Sequence, residues 1–391
     1  MAGEMIAGIL KETLPGERRV AVVPGNVPAL KKLGLEVLVE PGAGADAGFP
    51  DADYVKQGAT LGTSHTDVAL KADLLLQVRT PGANGAHGPD DAALMRSGQV
   101  IVGLADPLGM PDAAAVLADK GITVFALELV PRITRAQSMD VLSSQATISG
   151  YKAVLLGANA LPRMCPMMMT AAGTLAPAKV FIMGAGVAGL QAIASARRLG
   201  AKVEAYDVRP AVKEQIQSLG AKFVELPLET TGAEGSGGYA KAQDESFYKR
   251  QRELLTQVVG ASDLVITTAA VPGKRSPILV TAAMVQAMAP GSVIVDLAAE
   301  RGGNCELTKA DETIVVHGVT IMGPTNLPAT VPYHASQMFS RNVVTLLQHL
   351  INKDGQFTFD LNDEITRDTL VSRNGEVTNP RVKDLLAQQP A

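Results

Sequence analysis

The sequence predicts an α/β protein with two doubly wound, parallel-sheet domains. Three observations carry that expectation. Apolar residues make up 47% of the 391-residue chain, which has 38 glycines, only 4% aromatics and no tryptophan. That balance suits sheets covered by helices. The apolar runs are short and continuous, and they alternate with amphipathic stretches that mostly end at glycine, as expected of strands buried on both faces and joined by helices. The alternation also occurs twice, in a chain long enough for two or three domains.

In the first series the expected strands are MIAGIL, LEVLVE, DLLLQV, VIVGLA and ITVFALELV. The expected helices are NVPALKKLG, DADYVKQGA, DDAALMRSG and PDAAAVLADKG. Residues 138–160 read as one long helix leaving this series. The second series offers the strands KVFIMG, KVEAYDV, KFVEL, DLVITTAA, SVIVDLA and VTIMGP, a six-stranded doubly wound pattern. SQMFSRNVVTLLQHLINK reads as a second long helix, and the polar tail, residues 352–391, shows little pattern. The expected organisation is a discontinuous first domain of residues 1–140 plus 330–391 and a second of residues 141–329, joined by the two long helices. Residues 229–246, ETTGAEGSGGYAKAQDES, are glycine-rich and aperiodic. Loops of that length are lids or untidy surface insertions. A lid is expected here, with Tyr239 as its only large side chain.

Composition excludes several classes. Net charge is −4 with no basic run, so a nucleic-acid binder is not expected. Cys165 and Cys305 lack metal-like spacing, so neither a disulfide framework nor a metal site is expected, and a reducing, cytoplasmic compartment is the default. The N-terminal MAGEMIAGILKET is too short in its apolar part and too acidic for a signal peptide. The most apolar long stretch, from Met164 to Ala196, is broken by prolines and glycines and does not read as a transmembrane helix. The chain is expected to be soluble.

The most informative stretch is VFIMGAGVAGLQAIASARRLGAKVEAYDVR. Gly184, Gly186 and Gly189, with Ala185 and Val187 between them, form GxGxxG after a strand and before a helix. A second strand ends at Asp207, 23 positions after Gly184. In this context Gly184 permits the tight turn, Gly186 lets a pyrophosphate approach the backbone, and Gly189 lets the helix pack on the sheet. The helix N-terminus offers N–H groups to phosphate. This second domain is therefore expected to be Rossmann-like and to bind a dinucleotide. Asp207 can accept from both ribose hydroxyls and would repel a 2′-phosphate. Arg209, beyond Val208, is a counter-signal, since an arginine there can hold that phosphate; otherwise it is a solvated cation or a cover over the adenine. Asp207 outweighs it, and NAD(H) is expected over NADP(H). Other strand ends point to the same crevice. Small Thr268, Ala269 and Ala270 would let the nicotinamide half lie close to the backbone. Asp296 and Asn326 are polar anchors or helix caps.

The segment PRITRAQSMD, residues 131–140, sets two arginines, a glutamine, a serine and an aspartate between two buried-looking elements. It reads as a solvated loop, as a helix N-cap supplied by Ser138 or Asp140, or as part of a site. The residues alone leave this open.

Taken together, the motifs KETLPGERRVAVVP, PRITRAQSMDVLSSQ, PMMMTAAGT, GAGVAGLQAIA, GGYAK and GGNCEL make most of the chain resemble the alanine dehydrogenase and pyridine nucleotide transhydrogenase family. RAQSMD and PMMMTAAGT point to its transhydrogenase branch. The resemblance implies two Rossmann-like domains flanking a cleft that holds NAD(H), with the C-terminal segment completing the first domain. It also implies a homodimer. Hydride would pass to or from NADP(H) held only by the NADP(H)-binding domain of a separate beta subunit, with proton translocation by membrane-embedded subunits. The chain would be cytoplasmic, peripheral on the inner face of the membrane. Because it ends at Ala391 without hydrophobic hairpins, the split form is expected, docked on separate membrane chains.

For the site, the resemblance implies that the 132–140 loop reaches over the nicotinamide. Arg132, Gln137, Ser138 and Asp140 are carried over as catalytic, with Ile133, Thr134 and Met139 contacting the cofactor beside them. Arg132 and Asp140 would pair. GGYAK matches a mobile loop in which Gly238 contacts the nucleotide and Tyr239 closes on it.

Alanine dehydrogenase is the serious rival. Its chemistry moves protons as well as hydride, and so needs an acid/base group. That branch carries a lysine and a histidine at strand ends of the first domain and a substrate-binding arginine near the start. Here Gln77 stands where the lysine would fall (lysine is frequent there in transhydrogenases too), VIVGLADPL has no histidine, and Arg18 or Arg19 persists. His65 and His87 lie in loops and read as surface residues. Transfer between two nicotinamides needs only C4 held near C4 with water excluded. Transhydrogenation is therefore the favoured reading. An amino-acid dehydrogenase and a non-catalytic NAD(H)-binding regulator are the alternatives.

Overall fold

The computed structural model describes residues 5–227, 245–269 and 275–388. The chain divides into two compact units, Met1–Gln145 with Pro328–Ala391, and Ala146–Leu327. The helix Val141–Ala160 carries the chain from the first to the second.

The first unit begins with β1 (Met5–Ile9), β2 (Leu35–Val39), β3 (Thr60–Leu61), β4 (Leu74–Arg79), β5 (Val100–Leu104) and β6 (Thr123–Ala126). They are parallel, in the order β6-β5-β4-β1-β2-β3. The period-two rule explains why these strands read as unbroken apolar runs. Leu74, Leu76 and Val78 enter one core, and Leu75 enters another on the opposite face. Two elements here were not expected. β3 is too short to show a pattern. The helix His65–Lys71 is capped by Ser64, whose Oγ accepts from Asp67 N at 3.1 Å.

The second unit opens with a small antiparallel hairpin, β7 (Met168–Thr170) and β8 (Gly173–Leu175). Its main sheet comprises β9 (Lys179–Met183), β10 (Lys202–Tyr206), β11 (Lys222–Phe223), β12 (Leu264–Thr267), β13 (Val293–Asp296), β14 (Thr313–Val316) and β15 (Val319–Met322). The order is β11-β10-β9-β12-β13-β15-β14. The winding order reverses between β9 and β12, which run parallel, the switch point at which doubly wound sheets bind ligands. The six expected strands are present. A seventh, β14, runs antiparallel to β15. His317 and Gly318 both have positive φ, 53° and 77°, the two-residue turn that hairpins favour.

The tail corrects the expectation of little pattern. It forms the helices Glu364–Thr369 and Pro380–Ala387, with β16 (Leu370–Arg373) and β17 (Glu376–Val377) between them. β16 pairs antiparallel with β6 and β17 with β16, which brings the first sheet to eight strands. The Asn374–Gly375 turn, φ 53° and 83°, is a hairpin signal present in the sequence. The tail also supplies core: Phe357 and Phe359 stack near Phe125, with ring centroids 6.0 and 6.1 Å away.

Candidate functional site

The glycine turn of the second unit follows β9. Gly184 has φ +101°, and a Cβ there would lie 2.6 Å from Thr268 Oγ1. Thr268 Oγ1 donates to Gly184 O at 3.0 Å, and Gly184 N to Tyr206 O at 2.8 Å, tying the turn to neighbouring strand ends. The helix Val187–Arg198 starts from Gly186 as N-cap. At Gly189 a Cβ would fall 1.8 Å from Gly184 O, so helix and turn are in direct backbone contact. Around Gly186 a Cβ would meet nothing within 4 Å. Open space in front of a helix N-terminus is what a pyrophosphate requires, and this cradle fits a dinucleotide.

Asp207 follows β10 and is buried. Its Oδ2 accepts from Ala185 N at 2.7 Å, and its Oδ1 from Arg209 N at 2.8 Å. The Arg209 guanidinium grips it from the side, Nε to Oδ1 at 2.9 Å and Nη2 to Oδ2 at 2.8 Å. Val208 lies between them, partly buried. Burial pushes the Tyr206 hydroxyl up to about 12, opposed by the bond from Gln251 Nε2.

Thr268 and Ala269 follow β12. Ala269 is pinned by Asn304, which accepts from its N–H at 2.9 Å and donates to its carbonyl at 2.8 Å. Asp296 is not a free anchor. It is fully buried and accepts from Thr267, Ala298, Asn304, Cys305 and Thr308. Sequence reasoning missed this brace, because its partners lie up to 29 positions away. Ala270, Gly238 and Tyr239 lie outside the described residues.

In the first unit, Thr134–Met139 form a 3-10 turn ahead of the helix Val141–Ala160. Ala136 and Met139 are buried in the apolar core, with Ile133 packed against it. Arg132, Thr134, Gln137 and Ser138 are exposed. Asp140 caps the helix: Oδ1 accepts from Ser143 N at 2.9 Å and Oδ2 from Ser143 Oγ at 2.6 Å. Arg132 Nε lies 3.8 Å from Asp140 Oδ2, a loose pair. Three holding residues escaped the sequence reading. Asn342 donates to Ser138 O at 2.8 Å, and Arg135 binds Asp363 at 2.5 Å; against the pull of burial, the bond from Thr366 N and then that from Arg135 hold the Asp363 carboxyl below the usual range. Ser143 was legible as a serine three residues after an aspartate at a helix start.

The carboxyl edge of the first sheet bears on proton chemistry. Arg19 is buried in a forked pair with Glu17, at 2.7 and 2.6 Å, and donates to Gln145 at 2.9 Å. Arg79 approaches Glu17 at 3.3 Å. Burial, helped by the Glu17 charge, pushes Glu12 up to about 8, against bonds from Val78 N and Arg79 N. Gln77 is buried, and its Oε1 has no hydrogen-bond partner among the described residues. His65 is tied to Glu40 at 2.8 Å, which raises its pKa.

Two parallel sheets in the doubly wound order and a glycine turn beside a buried aspartate at the next strand end define a Rossmann-like, pyridine-nucleotide-binding class of oxidoreductase. Models of the alanine dehydrogenase/PNT N-terminal and C-terminal domains match residues 8–149 and 153–380, and the chain belongs to that family. It is 45% identical over 378 residues to the first of the chains that make up the NAD(P) transhydrogenase alpha subunit of Rhodospirillum rubrum, covering 96% of this chain and 98% of that one. The crystal structure of transhydrogenase from Sinorhizobium meliloti superposes with a TM-score of 0.83 at 44% identity, covering 96% and 99%. A structure of L-alanine dehydrogenase gives a TM-score of 0.80 at 26% identity, covering 98% and 99%. Within the family the chain therefore stands with the transhydrogenase alpha subunits. No described helix is long and apolar enough to cross a membrane.

Proposed function

We propose that this chain is the NAD(H)-binding subunit of a proton-translocating transhydrogenase. NADP(H) binds only to a domain of a separate beta subunit, and hydride passes directly between the two nicotinamides. Membrane subunits couple the exchange to protons and hold this chain to the inner face of the membrane. The observation that carries the reading is the open glycine turn beside the buried Asp207, in a chain 45% identical over 96% of its length to a transhydrogenase alpha-subunit chain.

Bound NAD(H) supplies the C4 carbon that gives or takes hydride. The protein's part is to hold and to exclude water. The Gly184–Gly189 turn holds the pyrophosphate and Asp207 the adenosine ribose, with Val208, Thr268 and Ala269 lining the site. Arg132, Gln137, Ser138 and Asp140, with Ile133, Thr134 and Met139, serve the nicotinamide half. Asp140, as helix cap, fixes the end of the loop that presents the exposed Gln137 amide and Ser138 hydroxyl.

The test mixes the chain with NADH, an NADP-binding transhydrogenase domain and an oxidised NADP analogue, and follows analogue reduction by absorbance. Reduction should require the partner. It should fall about 100-fold in Gln137→Ala, the scale of a misplaced reacting pair, while NADH binding by fluorescence changes little. NADH oxidation with pyruvate and ammonium alone would overturn the reading in favour of the dehydrogenase. NADH binding with neither activity would favour the regulator.

We also propose a homodimer. Met168, Met169 and Leu175 of the β7–β8 hairpin are exposed, and a two-stranded hairpin is marginally stable alone. Light scattering should give twice the 40.7 kDa chain mass, and Met169→Asp should shift it toward one. A wild-type monomer at micromolar concentration sinks this part of the reading.

A further inference from the structure

An ionised carboxylate has about four acceptor positions, and all four on Asp207 are occupied. Ala185 N and Arg209 N take two, and the Arg209 guanidinium takes the others, at 2.9 and 2.8 Å. The two backbone donors belong to the turns and stay whatever side chain stands at 209. The two guanidinium donors leave if Arg209 rotates away. A ribose diol brings two O–H donors, the number that the guanidinium withdraws. Both side chains are largely buried, at 11% for Arg209 and 5% for Asp207, so ribose and guanidinium cannot share the carboxylate.

We propose that Arg209 is a latch on the adenosine-ribose site, closed on Asp207 until a ribose with free 2′ and 3′ hydroxyls displaces it. The proposal rests on the reading of Asp207 as the ribose ligand and adds a competitor for it. Arg209 then lowers affinity for every nucleotide that uses Asp207. Releasing the guanidinium costs what this largely buried pair contributes net of its desolvation. A 2′-phosphate cannot open the latch in the same way, since it brings charge, not a donor, to the carboxylate.

The test is a double-mutant cycle on NADH affinity, read by fluorescence titration, with thermal melting as the check of folding. Arg209→Ala should tighten NADH binding about three- to tenfold, the scale of such a pair. Arg209→Lys should fall between, because lysine lacks the fork. The gain should vanish in the Asp207→Asn background. It should also shrink for ADP-ribose made with 2′-deoxyadenosine, a comparison that needs no second substitution. Unchanged or weaker NADH binding in Arg209→Ala overturns the latch, as does an equal gain in the Asp207→Asn background. If Asp207→Asn alone leaves NADH affinity intact, the reading beneath it fails instead.

Discussion

Two single-methyl substitutions, Gly189→Ala and Gly186→Ala, should both cost NADH affinity, but only the first should cost stability. At Gly189 the added carbon would sit 1.8 Å from Gly184 O and 3.3 Å from Thr268 Oγ1. The first contact is with backbone, so no rotamer relieves it. The helix Val187–Arg198 must lift from the turn, and its N-terminus leaves the place where the phosphates should meet it. Overpacking of this kind costs about 1–3 kcal/mol or more. At Gly186 the geometry is the reverse. Its φ is −73°, open to any residue, and nothing lies within 4 Å of the added carbon. The fold should change little, since the restriction alanine places on the unfolded chain is offset by its poorer fit than glycine at a helix N-cap. The methyl instead occupies the space where a pyrophosphate would approach, and hydrogen bonds to a charged group are lost. Binding should weaken at least about tenfold. Thermal melting and NADH titration of both variants check this. A Gly186→Ala protein that binds NADH as well as wild type would show that the open cradle is not the phosphate site.

Part of that contrast was legible in the sequence, where GxGxxG assigns the tight turn to Gly184, the open approach to Gly186 and the close helix packing to Gly189. GxGxxG after a strand predicts the turn, and the turn is there. What the motif does not show is how the turn is anchored, because the bond to Gly184 O comes from Thr268, 84 positions away, and periodicity does not reach that far. The same distance hid the brace from Asp296 to Thr308 and the clamp of Asn304 on Ala269. Asp296 at a strand end looked like a ligand anchor because strand ends usually carry them. The strands that escaped notice fail for another reason. Thr60–Leu61 and Glu376–Val377 are two residues long, below the length at which alternation can be seen. The tail's Asn374–Gly375 was readable as a hairpin turn, but Leu370–Arg373 is too short and follows a helix directly. The long buried strands of both sheets were legible because the fully covered faces force them to be apolar throughout. In the 132–140 loop the N-cap alternative was right for Asp140, and the exposed Gln137 and Ser138 remain compatible with the functional one.

The second large effect should appear in stability against pH, through Glu128. It sits just after β6, in the turn Leu127–Leu129. Its Oε1 accepts from both Ala105 N and Asp106 N, at the end of β5. Its Oε2 is buried with no partner among the described residues. Burial, with the Asp106 charge against it and the backbone bonds opposing, pushes the carboxyl up to about 7. A carboxyl raised above its unfolded value of 4.5 holds its proton in the fold where the open chain has already lost it. Its contribution is complete below about pH 4.5 and is lost as pH rises through about 7. Glu128→Gln keeps an oxygen for both N–H donors and cannot ionise. Between pH 5 and pH 9 the variant should therefore lose less stability than wild type, by roughly 3 kcal/mol. The curves should lie close together at pH 5, diverge up to about pH 7 and run parallel above it. Some slope should survive in the variant, because Glu12 is pushed up to about 8 in the same unit. Glutamine cannot relieve that one as cleanly, since both Glu12 oxygens accept backbone N–H groups and an amide nitrogen would face a donor. Urea unfolding at the two pH values measures the difference. Parallel losses in wild type and Glu128→Gln would mean that Glu128 is already ionised at pH 5, its buried oxygen satisfied by water.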